Sequence, residues 1–211
     1  MAVKPKKSLI KNYDTKIGGE IAYFGLQDWW MNDLTVDERD IIFSLYNPFG
    51  FDKKSLIEGK ITYTDEIATA FLTGLLSYLK KPEYQKLSSK IIKKMDRMSL
   101  KSGSVLDRHF YLSNKIEIFY RNRNTDETAL PAAIDACKEQ ISIAEQAKRA
   151  YLKEYDGSLP SHLGYTQLCI ILEKQKNYDE VIHLARPAKE QGWMGDWDKR
   201  IERSIRKRDQ K

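Results

Sequence analysis

The side chains of this 211-residue chain that could do nucleophilic, acid–base or metal chemistry are few and scattered. Its three histidines, His109, His162 and His183, share no i, i+4 spacing with one another or with a glutamate in the helical pattern of a zinc hydrolase. Cys137 and Cys169 are its two cysteines, and neither stands in a CxxC or other metal-ligand spacing. Each lies inside an apolar helical pattern, which predicts a buried free thiol rather than a disulfide or a reactive nucleophile. No GxxxxGK[ST] or GxGxxG loop offers backbone amides to a phosphate; Glu58-Gly59-Lys60 lacks the first glycine and the hydroxyl residue after lysine. No serine occupies a GxSxG elbow. These patterns predict a chain without catalytic activity, without a cofactor and without a bound metal.

The remaining chemistry is electrostatic. Lys86, Lys90, Lys93 and Arg97 fall on one side of a helical pattern between Tyr84 and Met98, and the carboxyl terminus adds Lys199, Arg200, Arg203, Arg206, Lys207 and Arg208. Such a stripe could neutralise phosphates, each contact steepening the salt dependence of binding by about one unit. Glu83, Asp96, Asp198, Glu202 and Asp209 dilute both clusters, and lysine-rich helix faces are ordinarily just solvated. A net charge of +6, from 36 basic and 30 acidic residues, does not by itself imply a polyanion. RNA or DNA binding is the alternative function, with Lys86, Lys90, Lys93, Arg97, Arg203 and Arg206 as its contacts.

The elements that must carry these residues read as helices. A composition of 41% hydrophobic and 31% charged residues is that of a globular chain with a sizeable core. The basic start has no apolar run of a secretory signal, and Ile67 to Leu79 is too short and too interrupted to span a bilayer, which predicts a soluble cytoplasmic protein. Residues 1–19, with several lysines, Pro5 and Gly18-Gly19, read as a flexible basic arm. Residues 20–101 read as a helical half. Within it Trp29 and Trp30 are adjacent, so one of them is exposed for a partner unless the arm folds over it. Thr35 and Glu38 form a capping box ahead of a stripe of Val36, Ile41, Ile42, Leu45 and Tyr46. Thr64 is placed to cap the next helix, whose face is Ile67, Phe71, Leu72, Leu75, Leu76 and Leu79.

Ser102 to Ser104 mark an internal boundary, and residues 105–211 read as paired helices. The first buries Leu106, His109 or Phe110, Leu112, Ile116 and Phe119, and its partner begins at Pro131. The clearest pair runs from Tyr165 to Ala188. Tyr165, Leu168, Cys169 and Leu172 face Tyr178, Val181, Ile182, Ala185 and Ala188, with small residues where two helices must touch. This pattern resembles a tetratricopeptide repeat, a 34-residue helical pair that stacks on copies of itself. Lys176 stands where that family usually has glycine, and Ala185 where it usually has a larger residue. The earlier pair, carried by Leu112, Ser113, Ile116, Ala133, Ile134 and Cys137, resembles the repeat more loosely. The whole chain is similar to uncharacterised bacterial proteins carrying such repeats behind a helical half with a Trp-Trp pair.

The resemblance implies an all-α superhelix or bundle and a protein-docking scaffold. The helix from Asp196, burying Trp197, Ile201 and Ile205, closes the last exposed face of the stack. Matched residue by residue, the groove positions are Asp107, Phe110, Asn114 and Glu117 on the earlier pair and Leu163, Thr166, Ile170 and Glu173 on the clear one. The family's carboxylate clamp is not matched, because Phe110 and Gln167 replace its lysine and an asparagine. The groove is therefore either filled by the protein's own helices or open to an apolar or mixed segment of another protein or peptide. An exposed terminal face would also permit a homodimer. Leu168→Asp puts a charge into the helix pair and is expected to unfold the carboxy-terminal half by thermal melting; unchanged melting would contradict the pairing.

Overall fold

The computed structural model describes residues 17–48, 52–98, 103–155 and 157–210, and the chain is all-α. Among the described residues no strand forms, and the one extended pairing is an isolated bridge between Ser161 and Met194. The chain divides into two units, Met1–Leu79 with Lys86–Met98 and Lys80–Gln85 with Ser99–Lys211. The segment 80–85, placed by sequence in the first half, joins the second unit through side chains. Lys80 pairs with Glu117 at 2.7 Å, and Gln85 Nε2 donates to Asp126 Oδ2 at 2.8 Å.

The first unit contains α1 (Gly19–Tyr23), α2 (Val36–Leu45), α3 (Ala68–Tyr78) and α4 (Gln85–Arg97). Residues 1–16 of the expected arm lie outside the described residues, but Ile17 to Gly19 are fixed. Gly18 N–H donates to the Ile57 carbonyl at 2.9 Å and Gly19 N–H to that of Gly59 at 2.8 Å. Gly19 has φ +58°, and a Cβ there would stand 2.1 Å from the Ser55 carbonyl oxygen, so the pair serves close backbone approach rather than flexibility. Trp29 and Trp30 are both buried, because they open a π turn, Trp29–Asp33, whose wider winding separates successive side chains less than an α-helix does. Arg39 of α2 holds that turn by donating to the carbonyls of Trp30, Met31 and Leu34, each at 3.1 Å.

The Thr35–Glu38 capping box forms in both directions, starting α2. Val36 is exposed rather than buried, since it occupies the first helical position, ahead of the turn that packs; Ile42 and Tyr46 are buried. Thr64 does not cap α3, which starts at Ala68. Its hydroxyl accepts from Glu66 N–H at 3.1 Å and sets a turn instead. The face of Phe71, Leu72, Leu75, Leu76 and Leu79 is buried as its width demands.

The second unit contains α5 (Val105–Asn122), α6 (Ala129–Ser142), α7 (Ala144–Glu154), α8 (Leu163–Lys174), α9 (Tyr178–Glu190) and α10 (Trp197–Arg208). A Ser104–Asp107 capping box starts α5, in which His109 is buried and Phe110 is exposed. Pro131 sits inside the first turn of α6, where its missing N–H leaves no carbonyl unpaired. The packing follows chain order: α5 lies against α6 and α7, α6 against α8, α8 against α9, and α9 against α10. One core joins them, from Leu106, Ala144 and Ala147 through Tyr165, Cys169, Val181, Ala185 and Ala188 to Trp193 and Trp197. The small residues let backbones approach, and the buried aromatics, each contributing roughly 1.5–3 kcal/mol, fill what remains.

The turn between α8 and α9 is tight. Asn177 Oδ1 accepts from Glu180 N–H, and Lys176 has φ 59°, the one non-glycine residue with positive φ among the described residues. A left-handed lysine is disfavoured where glycine is free to adopt that conformation. Lys176→Gly is therefore expected to stabilise the protein by about 0.5–1 kcal/mol, relief of strain exceeding the extra freedom of glycine in the unfolded chain. Urea unfolding that shows a loss of stability would contradict this account of the turn.

Candidate functional site

The groove positions read from sequence lie on α5 and α8, and most of them are engaged by the chain itself. Asp107 accepts from Ser104 N–H at 2.8 Å as part of the α5 cap. Asn114 is buried. Glu117 pairs with Lys80 at 2.7 Å and Arg121 at 2.6 Å. On α8, Leu163, Thr166 and Ile170 are half-buried, and Glu173 accepts from Arg200 at 2.7 Å and Arg203 at 3.2 Å of α10. From Leu163 to Glu173 every residue is buried or half-buried. Phe110, 41% exposed on α5, is the groove position that faces solvent.

The basic stripe divides in the same way. Lys86, Lys93 and Arg97 of α4 are exposed, whereas Lys90 Nζ bonds Glu38 at 2.7 Å and the Asp33 carbonyl at 2.9 Å. Arg206 is exposed, Arg203 is held by Glu173, and Arg200 is buried. Lys90, Arg200 and Arg203 thus hold helices together.

Beneath α5 lies a polar cluster that no spacing in the sequence reveals. Gln140, wholly buried on α6, donates to the His109 carbonyl at 2.8 Å and Ser113 Oγ at 2.6 Å, and accepts from Gly164 N–H at 2.6 Å. His162 caps α8, its Nδ1 accepting from Tyr165 N–H at 3.3 Å. The His109 ring stacks on Trp193 with centroids 5.7 Å apart, and His162 meets both His109 at 5.0 Å and Trp193 at 4.8 Å edge-on. Burial drives the His109 pKa down to about 4; burial and then the neighbouring His109 drive that of His162 down to about 3. Both rings are buried and therefore neutral at physiological pH. Cys137 and Cys169 are likewise buried free thiols, pushed by burial up to about 12 and about 11. Among the described residues no group of three or more histidine, cysteine or carboxylate side chains could hold a metal, and no helix is long and apolar enough to cross a membrane.

No family model, curated protein or solved structure matches the chain. Function must be read from its own geometry. One feature of that geometry escapes sequence reading: Tyr120 and Arg123 at the end of α5 meet Lys174 at the end of α8. Lys174 Nζ donates to Tyr120 Oη at 2.9 Å across 54 residues of sequence, a distance no helical period can bridge.

The histidine cluster makes stability depend on pH. Between the ordinary histidine value near 6.5 and the folded values of about 4 and about 3, the unfolded chain binds protons that the folded chain refuses. Stability is fully present above pH ~6.5 and is lost as pH falls toward 4, by roughly 3 kcal/mol for His109 alone. His109→Phe is expected to flatten this slope in urea titrations across pH 4–7; an unchanged slope would remove His109 from the account.

Proposed function

We propose that the chain is a non-catalytic docking protein whose second unit is a short tetratricopeptide-like stack, α5 with α6 and α8 with α9, closed by α10. The interval between helices supports the repeat: Leu163 opens α8 and Trp197 opens α10, 34 positions later, the length of one repeat. The earlier interval is longer because α7 and its loop are inserted between α6 and α8. The sealed histidines and thiols support the absence of catalysis, since groups without access to solvent cannot meet a substrate.

The observation that carries the docking reading is Phe110. A large aromatic side chain left 41% exposed at a groove position of α5, while the matching positions of α8 are half-buried, directs an apolar or mixed peptide segment to α5. The alternative, RNA or DNA binding, retains the exposed Lys86, Lys93 and Arg97 of α4.

Affinity capture of the full chain from its host, with and without nuclease, separates these readings. A protein partner is expected to survive nuclease and to be weakened at least ~10-fold by Phe110→Asp, the scale of an aromatic hot spot, with melting unchanged. Loss of all captured material on nuclease treatment would favour the nucleic-acid reading, and full retention by the Phe110 variant would overturn docking through α5.

A further inference from the structure

At the carboxyl ends of α5 and α8 two cations converge on one aromatic ring. The Arg123 guanidinium stands 4.1 Å from the Tyr120 ring centroid, and Lys174 Nζ stands 5.5 Å from the same centroid while donating to its hydroxyl. They border a cleft of about 290 Å³ whose apolar wall is Leu130 and Ile171. Asn124 and Gln175 add amide groups to its rim.

Like charges held together repel, and an anion between them would relieve that repulsion. Among the described residues neither Arg123 nor Lys174 forms an ion pair. Of the acids near them in sequence, Glu117 pairs with Lys80 and Arg121, Asp126 bonds Thr128 and Gln85, and Glu173 pairs with Arg200 and Arg203, while Glu127 is exposed and makes no ion pair with either cation among the described residues. Burial alone would raise the Tyr120 phenol, yet Lys174 and Arg123 outweigh it and hold it below its ordinary value, so the local field is positive. Cations at helix ends often answer the chain's own carbonyls, and one Arg123 nitrogen does so, donating to the Tyr120 carbonyl at 2.7 Å. That leaves most of the guanidinium fork unused. Lys174 does not serve its own helix end but reaches across to α5.

We infer that this cleft binds a small dianionic oxyanion of the phosphate monoester class, with Arg123 and Lys174 on its oxygens and Leu130 and Ile171 against its apolar substituent. Two unpaired cations match a dianion in charge, and a guanidinium fork matches a phosphoryl group in shape. The cleft is at the small end of the volume range of ligand pockets, which suits a compact ligand rather than a dinucleotide. This site is separate from Phe110 docking and stands or falls without it.

The test is calorimetric titration of the full chain at low ionic strength with phenyl phosphate and with inorganic phosphate. Saturable binding at one site is expected, tighter for phenyl phosphate because of the apolar wall. Affinity is expected to fall between pH 7 and pH 5, as the monoester takes up its second proton near pH ~6. Arg123→Ala and Lys174→Gln are each expected to weaken binding about tenfold, the scale of one lost charge-assisted contact, with both variants still folded by circular dichroism at each pH. Absence of saturable heat, or equal affinity in the double variant, would overturn the site. A phosphotyrosine pentapeptide then separates two sources of the same chemistry. Equal affinity for peptide and phenyl phosphate assigns a free small molecule, and markedly tighter peptide binding assigns a phosphorylated partner segment.

Discussion

The second unit is built around one primary amide. Gln140 joins α5, α6 and α8 because its two donors and its oxygen are spent on three partners that nothing else within the core reaches as well. The Gly164 N–H it accepts belongs to the first turn of α8, whose amides have no helical partner of their own. His162 takes the next of them. A helix start buried this completely is tolerable only when both are answered, since each orphaned buried donor costs about 1–3 kcal/mol. The same geometry explains the glycine: a Cβ at position 164 would stand 2.8 Å from Gln140 Oε1 and 3.0 Å from the Cys137 carbonyl. Close approach of α6 and α8, the cap of α8 and the neutrality of both histidines are thus consequences of a single dry junction. Gln140→Leu would keep the volume and lose every one of these contacts.

Local signals in the sequence were legible where they act locally. The Thr35–Glu38 box, the spacing of α8 against α9, the glycine-like position of Lys176 and the broad face of α3 all lie within one helix or one helix pair joined by a short turn. Features made by residues far apart were not. His109 and His162 lie on different helices, and Gln140 gives no periodic signal, so the cluster looked like two isolated histidines. An α-helical rotation would turn the adjacent Trp29 and Trp30 to different sides; the π turn and the Arg39 clamp change that geometry. Gly18-Gly19 was read as looseness, whereas the backbone of 55–59 lies too close for any larger residue at Gly19.

The groove shows a different limit. Matching positions to a repeat family assigns residues to a helix but says nothing of what that helix's neighbours do with them. Glu173 sits on α8 as expected, yet α10 claims it with two arginines, and Asp107 is consumed by the cap of α5. In the proposed stack, which is short, α10 would cover surface that a longer array would leave concave. What survives is the outward side of α5, where Phe110 stands.

Charge completes the picture, because a net charge of +6 says little until each cation is assigned. Lys90 ties α4 to α2, and Arg200 with Arg203 ties α10 to α8, so these charges are spent on architecture. A cation that anchors a helix cannot also neutralise a phosphate without releasing its carboxylate, which opposes binding by the strength of the pair it breaks. Among the described residues Arg123 and Lys174 have no carboxylate partner to surrender. An anion at their cleft would compete with the Tyr120 hydroxyl and carbonyl rather than with a carboxylate, and the two cations, 51 positions apart, are brought onto one ring by the fold alone, which no spacing in the sequence announces.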